Sequence, residues 1–283
     1  MDYITLYNGV RMPLIGYGTY QIAPEECERC IQNALTAGYR SFDTAQSYGN
    51  EALLGDIFQK AGIPREELFF TTKVRPHYYE NAKESVLESM EKLKTDYLDL
   101  VLLHQPFGDV YSAYRDLEAL YEEGKVRAIG VSNFYADKLV DLAYFTKIRP
   151  MVDQVERHPL HQRGDLLEWG RKLGIVISAW SPLGHGRGEM LTQPKLNLIA
   201  EKYNKTPAQV ILRWNLQQEV VTIPKTTSQE RMLQNIDIFD FSLSEEDMQE
   251  IASMETGNSV FYSHNDPQVI ERYAQGVIKS KNS

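Results

Sequence analysis

Cysteine is nearly absent from this sequence: two in 283 residues, Cys27 and Cys30. Two thiols form at most one bridge, so a disulfide framework is excluded as the source of stability. Their C-x-x-C spacing admits a redox pair. In APEECERCIQNAL, however, Ala23, Cys27, Cys30, Ile31 and Ala34 share one helical face, which predicts two core-facing thiols in a reducing compartment. No apolar run is long enough to span a bilayer. The opening MDYITLYNGVRMP lacks the basic start and apolar stretch of a signal peptide, and the expectation is a cytoplasmic protein. Positive charge is also in deficit. Thirty Lys and Arg against 39 Asp and Glu leave a net charge of -9, which disfavours nucleic acid and anionic membranes as partners. Low-complexity segments and linkers are missing too, so residues 1–283 read as a single domain.

What is present is an alternation of apolar runs with amphipathic helical stretches. The predicted strands are 13–18, 40–45, 68–74, 99–104, 127–133, 151–156, 176–183 and 220–225. They are largely apolar rather than alternating, as parallel strands buried on both faces are. Pro24 and Pro207 open helical stretches, where a missing N–H is harmless. Asn8-Gly9 between two apolar runs signals a hairpin before the first unit. Eight strand–helix units in this length fit an α/β fold of the (β/α)₈ barrel type, with the N-terminal hairpin closing the bottom. The alternative, a doubly wound sheet, would lead with a Gly-x-Gly-x-x-Gly turn. None occurs; GYGTY and GHGRGEM only approximate it.

In such a barrel, working residues gather at the C-terminal strand ends. Those ends supply Asp43 with Tyr48 in the following loop, then Lys73, His104, Asn133, Gln154, Trp180 and Lys225. A buried lysine needs a carboxylate, and Asp43 is on the neighbouring strand. The four types Asp, Tyr, Lys and His together suit proton donation by a phenol. The ammonium is expected to make the phenol more acidic, the carboxylate to hold the ammonium, and the histidine to orient a substrate oxygen. Such an acid needs an electron source that side chains do not offer, so a cofactor is required. His158 and His161 lack further ligands at metal spacing, and no metal is expected.

The stretches AGYRSFDTAQSYGNEALLG, FFTTKV, LVLLHQP, GVSNF, SPLGHG and IPKTTSQERMLQN, in this order, resemble the motifs of the aldo-keto reductases, of the diketogluconate reductase or prostaglandin F synthase type. The resemblance covers nearly the whole chain. It implies a (β/α)₈ barrel with a C-terminal substrate loop that binds NADPH without a Rossmann domain, and that reduces an aldehyde or ketone. On that resemblance Asp43, Tyr48, Lys73 and His104 form the catalytic tetrad, with Tyr48 the proton donor. Ser132, Asn133 and Gln154 would hold the nicotinamide carboxamide, and Trp180 would stack on its ring. Ser181, Leu183 and Gly184 would line the pyrophosphate, with Gly18 and Thr19 also at the cofactor.

Lys225, Thr226, Thr227, Arg231, Gln234 and Asn235 match the adenosine-phosphate segment, with Thr226 for the family's Ser and Gln234 for its Glu. Two cations there favour NADPH over NADH. Tyr20, Tyr48, His104, Gln105 and Phe261 would frame the substrate, Gln105 standing where many members carry tryptophan. The implied partner is a small carbonyl compound, and the chain is expected to act as a monomer. Two rival functions remain at this stage. One is a slow, redox-sensing NADPH-binding subunit. The other is a Schiff-base aldolase through Lys73, which Asp43 would oppose by keeping that amine protonated.

Overall fold

Eight parallel strands close on themselves in the computed structural model, which describes residues 2–281. A two-stranded antiparallel hairpin comes first, β1 (Tyr3–Thr5) and β2 (Arg11–Pro13), with Ile4 opposite Met12. Gly9 turns it at φ +89°. The barrel strands are β3 (Tyr17–Gly18), β4 (Ser41–Asp43), β5 (Phe69–Val74), β6 (Leu100–Leu103), β7 (Ile129–Ser132), β8 (Val152–Glu156), β9 (Val176–Trp180) and β10 (Val221–Ile223). Each pairs with the next in parallel register. The seam between β3 and β10 is closed by Gly16 N to Thr222 O at 2.9 Å, Thr222 N to Leu14 O at 2.9 Å and Gly18 N to Pro224 O at 3.0 Å. A Cβ on Gly16 would meet Ile223 Cδ1 at 2.8 Å and Ser41 Oγ at 3.0 Å, so a larger residue at the seam would have to push those side chains aside.

Helices α1 (Pro24–Thr36), α2 (Glu51–Ala61), α3 (Ala82–Leu93), α4 (Val110–Glu122), α5 (Ala136–Phe145) and α6 (Gly164–Leu173) return the chain between strands up to β9. Two helices, α7 (Pro194–Tyr203) and α8 (Pro207–Leu216), precede β10, and α9 (Gln229–Ile236), α10 (Glu245–Ala252) and α11 (Pro267–Lys281) follow it. Pro24 and Pro207 sit in the first turns of α1 and α8. Thr206 and Gln209 complete a reciprocal cap on α8. Cys27 and Cys30 are free and buried on the core face of α1, where burial pushes the Cys27 thiol up to about 11.

The predicted strands all occur, trimmed at their ends. Pro13 belongs to the hairpin, and Pro224 ends β10 because it has no N–H for the ladder. Every residue of β3 to β8 and β10 is buried, as expected for strands covered on both faces. The hairpin covers the N-terminal strand ends. Leu6 and Met12 are buried beneath it, and Asn8 Nδ2 donates to Arg127 O at 2.9 Å, just ahead of β7. The opposite end is left open. No helix of the described residues is long and apolar enough to cross a membrane.

Candidate active site

The open end holds a cavity of about 550 Å³. Asp43, Tyr48 and His104 line it, from the end of β4, the loop after it and the residue after β6. Lys73 lies behind them in β5 and is 1% exposed. Its Nζ donates to Asp43 Oδ1 at 2.5 Å and to Thr44 O at 2.9 Å, and sits 5.2 Å from the Tyr48 ring centroid. Asp43, 4% exposed, also accepts from Gln154 Nε2 at 2.8 Å. The Tyr48 ring meets His104 edge-on at 6.0 Å and Tyr20 at 4.8 Å. His104 Nδ1 is 3.4 Å from Ser47 Oγ. All four predicted tetrad residues therefore converge.

The electrostatics differ from one expectation. Burial, together with the charge of Asp43, holds the Tyr48 phenol well above its ordinary value, despite the ammonium nearby. The phenol therefore stays protonated at neutral pH. Burial outweighs the Asp43 attraction at Lys73 too and lowers its ammonium. Burial and the Lys73 charge push His104 down to about 3, so its imidazole is neutral at physiological pH and hydrogen-bonds without charge.

A second set of polar groups is already interlocked. Asn133 Nδ2 donates to His104 O at 3.0 Å and to Ser132 Oγ at 3.2 Å, while its Oδ1 accepts the Trp180 indole N–H at 2.8 Å. Ser132 Oγ donates to Gln154 O at 2.7 Å. Gln154 Nε2 is committed to Asp43, which leaves its amide oxygen as the acceptor toward the cavity. Asn133 thus ties the His104 backbone to the plane of Trp180. Asn133 and Ser181 both adopt left-handed backbone, φ 67° and 46°. Strain of this kind in non-glycine residues concentrates at functional sites. It has no sequence signature, and the Asn133–Trp180 bond was not legible.

The C-terminal segment is pinned over the opening by Glu156, at the end of β8. Its carboxylate accepts from Ser259 Oγ at 2.5 Å and Val260 N at 2.9 Å, and lies 2.9 Å from His158 Nε2. Phe261 follows directly and sits 5.1 Å from Trp180. Sequence reading stopped at Gln154 in this strand. A carboxylate at an apolar strand end is the same signal that singled out Asp43. His158 is a partner of that anchor, and no group of three or more metal-capable residues occurs among the described residues.

Of the predicted cofactor and substrate residues, Gly18, Tyr20, Gln105, Ser132, Asn133, Gln154, Trp180, Ser181, Leu183, Lys225 and Phe261 line the cavity. Others stand away from its wall. Thr19 is buried, its N and Oγ1 both bonded to Asp43 O. Gly184 is buried at φ +68° against Met190. The carbonyls of Thr226 and Thr227 are taken by Tyr17 Oη at 2.5 Å and Arg29 Nη1 at 3.1 Å. Asn235 is buried in α9, Gln234 Nε2 bonds Glu230, and Arg231 is exposed with no side-chain hydrogen bond to a described residue. The wall also includes Tyr262, which the sequence places with Phe261 at the mouth, and Ser47, Arg75, His77, His185, Arg187 and Tyr273, none of which sequence reading assigned to the pocket.

Known proteins share this architecture. The profile described as the aldo/keto reductase family matches residues 14–256. A glyoxal reductase of Bacillus subtilis (strain 168) is 46% identical over 257 residues, covering 89% of this chain and 92% of the relative. The crystal structure of MGS-M4, an aldo-keto reductase from a Medee basin deep-sea metagenome library, has a TM-score of 0.90 at 41% identity, over 93% of this chain and 98% of that one. An aldo-keto reductase crystallised with NADPH has a TM-score of 0.87 at 31% identity, over 92% and 90% of the two chains. A match across that span, on a barrel whose open end gathers Asp43, Tyr48, Lys73 and His104, means that the chain belongs to the aldo/keto reductase family and is an oxidoreductase acting on carbonyl groups.

Proposed function

We propose that this protein reduces an aldehyde or ketone to the alcohol with NADPH, Tyr48 giving the proton. The observation that carries the reading is the buried Lys73–Asp43 pair set behind the Tyr48 ring, with neutral His104 beside it. The Tyr48 hydroxyl donates to the carbonyl oxygen, and His104 offers a second, uncharged hydrogen bond to that oxygen. A phenol held above its ordinary pKa stays loaded. It gives up its proton only as the oxygen becomes an alkoxide, a far stronger base than phenolate. Lys73 steadies the phenolate left behind, Asp43 fixes Lys73, and solvent restores the proton. The Schiff-base alternative finds no support, because Lys73 is buried off the cavity wall and bonded to Asp43 and Thr44.

The residues present fit a nicotinamide cofactor. Trp180 is a half-buried indole on the wall, its plane fixed by Asn133, and the Gln154 amide oxygen is the open acceptor beside it. Lys225 lies on the same wall, and the free Arg231 guanidinium follows on α9. Bound NADPH would supply the hydride to the carbonyl carbon. Trp180 would face the nicotinamide, Ser181, Leu183 and Gly184 the pyrophosphate, and Lys225 and Arg231 the 2′-phosphate. An NADPH-consumption panel over glyoxal, methylglyoxal, aromatic aldehydes, sugars and larger ketones tests the function. No consumption with any class would refute it.

Two expected results test the cofactor assignment. Titration with NADPH should quench tryptophan emission saturably, and Trp180→Leu should abolish most of that quenching and weaken binding. Trp214 is buried under Arg157 and Trp169 lies in α6 beneath Lys172, both off the cavity. Quenching that survives in Trp180→Leu and disappears in Trp214→Leu would move the stacking elsewhere. Arg231→Ala should remove most of the preference for NADPH over NADH, roughly ten- to a hundredfold in Kd, the contribution of charge-assisted bonds to a phosphate. An unchanged ratio of the two dissociation constants would place the 2′-phosphate away from Arg231.

A further inference from the structure

The cavity reverses the sign of the chain. Net charge is -9, yet the ionised wall residues are three cations, Arg75, Arg187 and Lys225, and one carboxylate, Asp43, which is paired with Lys73. The cations differ in how they are held. Lys225 Nζ donates to Gln21 O at 3.2 Å. Arg187 Nη1 donates to Val260 O at 3.3 Å, with its guanidinium 4.6 Å over the Phe261 ring. The Arg75 guanidinium donates to no described residue. Its Nε is buried without a partner, the Tyr78 ring lies 5.1 Å from its Cζ, and His77 is close enough to feel its charge. Its backbone, by contrast, is fixed two residues beyond Lys73, Arg75 N donating to Gln46 Oε1 at 3.1 Å.

Two more polar atoms on the same wall are buried and unpartnered, His77 Nδ1 and Gln105 Oε1. The other end of the Gln105 amide is taken by Tyr273 Oη at 3.3 Å. Buried polar atoms without partners are destabilising in a finished core. Those atoms are sealed from the cavity, so the polar group offered to a ligand there is the Arg75 guanidinium itself, on the wall and without an acceptor among the described residues. The barrel topology separates this cluster from the cofactor end. Arg75 follows β5, and Trp180 ends β9, four strands away around an eight-stranded barrel. Arginine offers a planar fork matched to a carboxylate.

We propose that Arg75, with His77 beside it, forms an anion subsite at the substrate end of the cavity, and that the preferred substrates are carbonyl compounds bearing a carboxylate. The inference rests on the carbonyl-reductase reading above. The test compares two acids with their methyl esters, 4-carboxybenzaldehyde and 4-oxobutanoate, under saturating NADPH. The wild type should have the lower KM for the acid, and that KM should rise with ionic strength while the KM of the ester does not. In Arg75→Met the acid-to-ester ratio of KM should rise roughly ten- to a hundredfold for at least one pair, the loss expected for a charge-assisted bond. Arg75→Lys should fall between. A merely structural role would raise both KM values together and leave the ratio in place, and that result for both pairs overturns the subsite. If no aldehyde is turned over, the reductase reading fails, and the subsite is read from binding. Calorimetry with 4-(hydroxymethyl)benzoate and NADP⁺ should then show the same loss of affinity in Arg75→Met, and equal affinities would overturn it.

Discussion

Tyr48→Phe is expected to lower kcat by at least ~10²-fold while NADPH binding stays intact, the low end for losing a general acid. The substitution is close to a pure test of the hydroxyl. Phenylalanine keeps the ring that meets Tyr20 at 4.8 Å and His104 at 6.0 Å, so the wall keeps its shape. Lys73 remains bonded to Asp43 and Thr44, neither of which touches the phenol oxygen. His104 cannot replace the lost acid, because with its imidazole pushed down to about 3 it carries no extra proton at neutral pH. Stopped-flow single turnover separates the chemical step from product release. A variant that turns over at near wild-type rate in that measurement would remove Tyr48 from proton transfer.

How much of this site was legible depended on whether a residue's role lay in its strand or in its neighbours. Asp43, Lys73 and His104 could be read because each is a titratable group closing an apolar strand, and barrel strand ends converge. The Asp43–Lys73 pair followed from strand adjacency, since β4 and β5 are consecutive. The bond from Gln154 to Asp43 could not be foreseen in the same way. It joins residues 111 apart in sequence across the barrel interior, and depends on the register of three intervening strands. The acidity of Tyr48 was misjudged for a related reason. A nearby ammonium is visible in sequence, but the burial that outweighs it is a property of the assembled wall. The apolar strand patterns gave the barrel and its order, while Pro13 and Pro224 shortened strands whose composition alone ran on.

Lys73→Met should destabilise the fold by about 3–5 kcal/mol, the effect of leaving one member of a buried ion pair uncompensated. Methionine nearly matches the lysine stem in volume, so little cavity is expected. What changes is that Asp43 loses its ammonium and keeps a single side-chain partner, Gln154 Nε2, in a position 4% exposed. The Thr44 carbonyl loses a donor as well. Urea unfolding compared at constant slope gives the difference. The double variant Asp43→Asn with Lys73→Met removes both charges and should recover most of the loss, since a buried pair replaced by neutral groups of similar size is often close to neutral. Activity should stay low in both variants, as neither retains an ammonium to steady the Tyr48 phenolate. Equal stability of Lys73→Met and the wild type at neutral pH would mean that water reaches Asp43 and that the pair is not sealed inside the barrel.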